Sequence, residues 1–154
     1  MMNEEFLVIL QTELKNRTMT LIEFFKKDRF AVMAGVELLE VKQGYAKARM
    51  LVTKEHLNGG GVCQGGALFT LADLAFAAAI NSHLELTFST SSNITFVANV
   101  SDGYVYAEAR EVVNHPKMPY GEVRVTDETG RLLALFTSSA YRKKGAAIDA
   151  DRPL

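Results

Sequence analysis

The sequence predicts an α+β domain in which an antiparallel sheet wraps one long buried helix, and three observations carry that prediction. The stretch from Gly65 to about Ser82, with "ALFTLADLAFAAAI" at its heart, is apolar on nearly every side, as a helix enclosed by other elements must be. Two segments with strand-like alternation precede it, and four rich in β-branched and aromatic residues follow it. The chain has 154 residues, 48% hydrophobic and 23% charged, which fits one globular domain with a real core.

Residues 3–28 read as two helices. Phe6, Leu7, Leu10 and Leu14 lie on one face, then Leu21, Phe24 and Phe25 on another, with a break expected near Asn16 to Thr20. From Val36 the period shortens: "VELLEV" and "YAKARMLV" flank "KQGY", where Gly44 marks the turn of a hairpin. Beyond the helix, "FSTSSNITFVANV", "YVYAEAREVV", "YGEVRVTD" and "RLLALFTSSAYRK" read as strands. They are separated by Asp102-Gly103, His115-Pro116 and Glu128-Thr129-Gly130, the last a tight hairpin turn. The organisation is a helical lead-in over 1–30, a sheet-and-helix domain over 31–144, and a tail from Gly145 to Leu154 expected to fray.

A formal net charge of -1 and a pI near 6.3 leave no electrostatic footprint for nucleic acid, and no basic run exceeds Lys143-Lys144. The single Cys63 excludes an internal disulfide framework and suits a reducing compartment. Acidic residues stand at the N-terminus where a signal peptide needs basic ones, and no stretch approaches the roughly 20 apolar residues that span a bilayer. The chain therefore reads as soluble and cytoplasmic, with no membrane partner.

Asp73 stands alone in the apolar helix, and an ionised carboxylate in such surroundings costs several kcal/mol unless it is paired or its pKa rises. A bland reading places it on the helix's one solvated side. The glycines upstream change the odds. Gly65 and Gly66 fall where the helix starts; its first N–H groups lack intrahelical acceptors, and with the helix dipole they form an anion site or an oxyanion hole. Gly65 and Asp73 are eight positions apart, roughly 12 Å along the axis at about 1.5 Å per residue. A catalytic base must approach within about 3 Å of what it activates. Both can serve one carbonyl only if they come from two copies of the chain, so function requires a homodimer with two equivalent sites.

The segment "HLNGGGVCQGGALFTLADLAFAAAINS" resembles the signature of the PaaI-like acyl-CoA thioesterases of the hotdog superfamily: an Asn, a loop ending in His-Gly-Gly, then Leu-x-Asp-x-Ala on the central helix. The likeness extends from about Asp28 to Lys144 and includes "NITF" and "GRLLALFTSSAYRK". It implies the hotdog fold and hydrolysis of an acyl- or aryl-CoA thioester to a free acid and CoA, with coenzyme A present only as part of the substrate and no other cofactor. It makes Asp73 the catalytic carboxylate, as nucleophile or as general base on water. Gly65 would donate its N–H to the thioester carbonyl, Gln64 and Gly66 would line the substrate site, and Asn58 would orient the water or carboxylate. Asn58 is expected on the same side as Asp73, with Gly65 coming from the partner chain. A strand hydroxyl assists, matched by Ser89, or by Ser91 if the register slips by two. Lys117 is the cation expected near the phosphates of coenzyme A, and the homodimers are expected to pair into a dimer of dimers.

One departure matters: the family's His is Gln64 here, and an amide can hydrogen-bond but cannot titrate. A non-catalytic acyl-CoA-binding protein is therefore the second reading. Competing motifs are weaker. Cys63 with His56 could form a nucleophile-base pair, but a lone cysteine is far more often a small buried apolar residue. His56, His83 and His115 share no metal-ligand spacing, so no metal is expected. "GGGVCQGG" lacks the Lys-Ser/Thr of a P-loop. Phe69, Phe76, Phe88 and Phe96 could line an acyl pocket or simply fill the core.

Overall fold

The computed structural model describes residues 3–149. Helix α1 (Glu4–Phe25) and a short α2 (Arg29–Met33) lead into β1 (Val36–Lys42) and β2 (Tyr45–Val52). A 3-10 turn at Lys54–His56 and a glycine-rich loop precede α3 (Gly65–Ile80). After a second 3-10 turn at Asn81–His83 come β3 (Glu85–Phe96), β4 (Gly103–Val113), β5 (Tyr120–Asp127) and β6 (Leu132–Ala147). All six strands form one antiparallel sheet in the order β1-β2-β4-β5-β6-β3, curled around α3.

The helix packs through Leu71, Ala72, Ala75, Phe76, Ala78 and Ala79, all at most 1% exposed, against Ala46, Ala48, Ala107, Ala109, Val123 and Val125 on the inward faces of the strands. Small residues on both sides let sheet and helix approach closely. Gly121 shows how closely: a Cβ there would stand 2.7 Å from the Arg110 carbonyl oxygen and 3.0 Å from Phe76 Cε2. Gly121→Ala is expected to destabilise the protein by about 1–3 kcal/mol, the usual cost of overpacking. Urea unfolding measures it, and an unchanged midpoint would mean that β5 can shift.

Three expectations are corrected. The break near Asn16 to Thr20 does not occur. Asn3 caps α1 by accepting from the Phe6 N–H (2.7 Å), and the helix continues because Leu21 and Phe24 dock on the core and the Thr18 hydroxyl donates across to Val41 O (3.1 Å). The chain turns instead at Lys26 to Asp28, where Asp28 caps α2 by accepting from the Ala31 N–H at 3.0 Å. Nor does the tail fray at Gly145. Gly145 takes φ +77, β6 runs on to Ala147 opposite Glu85, and Ile148 is buried with its N–H donating to Leu84 O. An apolar anchor past the glycine holds the end down; residues 150–154 of the expected tail lie outside the described residues. Third, Gly65–His83 does reach the length and hydropathy of a membrane span, with a mean hydropathy of 1.3. Its packing inside the sheet accounts for that apolar character.

Candidate active site

Strand β3 is an edge of the sheet and runs antiparallel to α3 along its open side. The inward face of β6, marked by buried Ala134, Phe136, Ser138 and Ala140, pairs with Phe96, Ile94, Ser92 and Ser89 of β3, so these four share that face. A bulge between Ser89 and Ser91 sets the register there. Ser89 consequently points at α3, and its hydroxyl donates to Asp73 Oδ1 at 3.2 Å. Ser91 lies on the opposite face, so Ser89 is the one of the two serines that reaches Asp73.

Asp73 opens into a cavity of about 340 Å³ bounded by Phe24, Phe25, Asp28, Leu86, Phe88 and Ser89. Burial raises its pKa above the usual carboxylate range; the Ser89 hydrogen bond opposes the rise, and the Asp28 carboxylate adds to it. The α1–α2 elbow was not foreseen as part of the site. Its signal in the sequence was faint: Phe24-Phe25 ahead of Asp28, which reads equally well as the end of a helix.

The N-terminal end of α3 holds Gln64, Gly65 and Gly66. Gln64 is the N-cap residue, and its Oε1 accepts a short hydrogen bond from the Gly66 N–H. The residue in the family's His position thus occupies the Gly66 N–H in this structure. The Gly65 N–H has no acceptor among the described residues, and the Phe96 ring lies over this glycine, 2.8 Å from where a Cβ would be. Asn58 belongs to this end, not to Asp73's stretch of the helix. Its Oδ1 accepts from Gly60 N (2.8 Å) and Val62 N (3.3 Å), and its loop is tied to the helix start by Gln64 N–H donating to His56 O. Lys117 is exposed and does not line the Asp73 cavity. Its carbonyl accepts from the Arg142 N–H, which places it across β6 from Thr87.

His56, Cys63 and the four phenylalanines each have a definite place in the structure. His56 donates from Nε2 to Ala34 O (2.7 Å) and accepts at Nδ1 from Thr53 N (2.9 Å), so it braces a turn. Cys63 is buried, and desolvation pushes its thiol pKa up, away from a reactive thiolate. Phe69 and Phe76 stack on Phe136 in the core, whereas Phe88 borders the cavity and Phe96 covers Gly65. Among the described residues, no three His, Cys, Asp or Glu side chains are grouped to hold a metal ion.

Comparison with known proteins gives this geometry a family. The thioesterase superfamily profile matches residues 60–134, the segment from the glycine loop to β6. A protein of Archaeoglobus fulgidus, provisionally described as an esterase, is 40% identical over 119 residues, 77% of each chain. The chain belongs to the thioesterase superfamily. The acyl-coenzyme A thioesterase PaaI of Escherichia coli K12 is 29% identical over 122 residues, 79% of this chain and 87% of that protein. The solved structure of E. coli PaaI superposes with a TM-score of 0.78 at 25% identity, covering 84% of this chain and 97% of that one. The fold is the hotdog fold, of the PaaI-like kind. The protein is a thioester hydrolase.

In a thioesterase this layout is chemically sensible. A thiolate leaves readily, so one carboxylate and a polarised carbonyl can suffice without a His-activated nucleophile. Asp73 stands midway along α3, eight residues from Gly65 at its start.

Proposed function

We propose that the protein hydrolyses acyl- or aryl-CoA thioesters to the free acid and CoA, in two equivalent sites, each shared between two copies of the chain. The observation that carries the reading is the pairing of two unmet demands along one exposed edge: the half-buried Asp73 carboxylate held by Ser89, and the open Gly65 N–H beneath Phe96. β3 offers its outer backbone groups for pairing with a second β3. A two-fold axis crossing β3 between Ser89 and Phe96 sets Asp73 of one copy opposite Gly65 of the partner subunit.

In that arrangement the ionised Asp73 supplies the electron pair, either to the thioester carbon directly or through a water it deprotonates. Negative charge developing on the carbonyl oxygen is met by the partner subunit's Gly65 N–H and the positive end of its α3. The C–S bond then breaks and the thiolate takes up the proton of the attacking water, which reaches it through Asp73. In the direct route a water next hydrolyses the mixed anhydride on Asp73, releasing the acid, regenerating the carboxylate and supplying that proton. Asn58 and Gln64 stand at the oxyanion end, where the free Gln64 amide N–H₂ can donate to substrate. The acyl group occupies the aromatic cavity beside Asp73, and Lys117 serves the phosphates of coenzyme A. No cofactor other than the substrate's own CoA is required. The buried, unpaired Cys63 fits a reducing, cytoplasmic setting.

The shared site has a direct test. Gly65→Pro, made in a Phe96→Ala background that clears the ring 2.8 Å from the new Cβ and is itself the control, deletes the N–H at the first helical position, where proline is tolerated. Turnover of acyl-CoA is expected to fall about 10²–10³-fold, the usual loss of one oxyanion donor. Mixing inactive Gly65→Pro with inactive Asp73→Asn under conditions of subunit exchange should restore activity, since each heterodimer regains one intact site. No recovery after verified exchange would refute sharing.

A further inference from the structure

α1 exposes more apolar surface than its place in the fold uses. Leu21 and Phe24 are buried against the body, yet in the first three turns Phe6, Val8, Ile9 and Leu14 are each at least half exposed. The pattern is ordered. Leu7, Leu14 and Leu21 recur every seven residues, and Leu10, Arg17 and Phe24 follow each of them by three, the spacing of a coiled-coil seam. The C-terminal end of that seam docks on this chain's own sheet; the N-terminal end continues without a cover.

Where the seam leaves the body there is a groove of about 500 Å³ between α1 and the β1–β2 turn. Leu14, Leu21 and Val41 form its floor and Lys15 and Arg17 part of its rim. Neither cation makes an ion pair among the described residues. The N-terminal half of α1 is the counterpart in both respects: it is apolar, and its charges are all acidic, Glu4, Glu5 and Glu13. One helix thus carries both a knob and the hole that fits it.

We propose that a second copy of this chain fills the groove. The α1 helices pair antiparallel about a two-fold axis near Leu10 and Leu14, each seating Leu7 and Leu10 in the other's groove. This sense of pairing brings the acidic first turn toward Lys15 and Arg17 of the partner subunit, whereas parallel pairing would set acid against acid. An anionic bilayer is disfavoured as occupant by the same acidic residues. The contact is isologous and lies away from the β3 edge, so it adds to the catalytic pairing and does not replace it.

The experiment is sedimentation velocity of the full chain with three variants. Leu7→Glu/Leu10→Glu should halve the assembly mass while circular dichroism, thermal unfolding and acyl-CoA turnover stay at wild-type levels, because both side chains are exposed at 38%. Lys15→Glu/Arg17→Glu should also halve it, and adding Glu4→Lys/Glu5→Lys to that variant should restore it. Unchanged mass in the leucine variant overturns the proposal, as does failure of the charge exchange to restore assembly. Wild-type chain that floats with phosphatidylcholine/phosphatidylglycerol vesicles and gains no mass through α1 would assign the face to lipid and overturn it too. Turnover reports the catalytic reading separately, so the two can fail independently.

Discussion

Asp73→Asn is expected to yield a folded protein whose thioester hydrolysis falls about 10²–10⁴-fold, the range for losing a positioned proton-transfer group. It should also be more stable than the wild type. Burial raises the Asp73 pKa, so between its unfolded and folded values the native chain binds more protons than the unfolded one. Stability therefore falls as pH rises through that window, and at neutral pH the native state carries the cost of the buried charge. Asparagine removes the charge at similar volume, and the melting temperature should rise as turnover drops. A thiol-release assay over short, medium, long and aryl acyl-CoAs, run beside thermal unfolding, checks both. Undiminished turnover in the variant would remove Asp73 from the mechanism.

The same environment fixes the pH profile. Only the ionised carboxylate can act, so kcat/KM should decline as pH falls through a pKa above the ordinary carboxylate range. Ser89→Ala deletes the hydrogen bond that holds the pKa down, and the acid limb should move to higher pH. A limb in the ordinary carboxylate range in both proteins would mean that Asp73 is well solvated in the free enzyme.

The parts of this site legible in the sequence were those written in local chemistry. A carboxylate inside "LADLAFAAA" has few innocent explanations, and a glycine pair before an apolar run marks a helix start with open N–H groups. What was hidden depends on side-chain reach and on tertiary contact. Gln64 bends back to occupy the Gly66 N–H, and spacing alone does not reveal that. Asn58 spends its carbonyl oxygen on its own loop, which keeps it at the Gly65 end. The α1–α2 elbow meets Asp73 because α1 stays helical through Asn16 to Thr20, where weak propensities are outweighed by the Thr18 hydroxyl's tertiary bond to Val41 O and by Leu21 and Phe24 docking on the core. The strand order, with β3 at the edge beside β6, likewise rests on long-range pairing.

Glu111→Ala is expected to cost about 3–5 kcal/mol, the penalty for breaking a buried ion pair by removing one partner. Glu111 accepts from Arg142 Nη2 at 3.1 Å and lies 2.6 Å from His83 Nε2, and Arg142 is only 6% exposed. Without that carboxylate the guanidinium keeps only Asn114 Oδ1 (3.0 Å) and His115 O (3.3 Å), and its Nε already lacks a partner among the described residues. Against the 5–15 kcal/mol typical of a domain this is a large fraction, readable as a shift in the urea midpoint. Glu111→Leu/Arg142→Met should recover most of it, because replacing a buried pair with apolar groups of similar volume is often neutral. A loss below about 1 kcal/mol in Glu111→Ala would mean that water reaches the guanidinium. The network joins the turn after α3 to β4 and β6 at the end of the helix away from Gly65, and no member touches the Asp73 cavity. Its double replacement should leave kcat intact. Asp73→Asn should do the reverse, losing turnover and gaining stability, so the two experiments separate a buried charge that holds the fold from a buried charge that costs it stability.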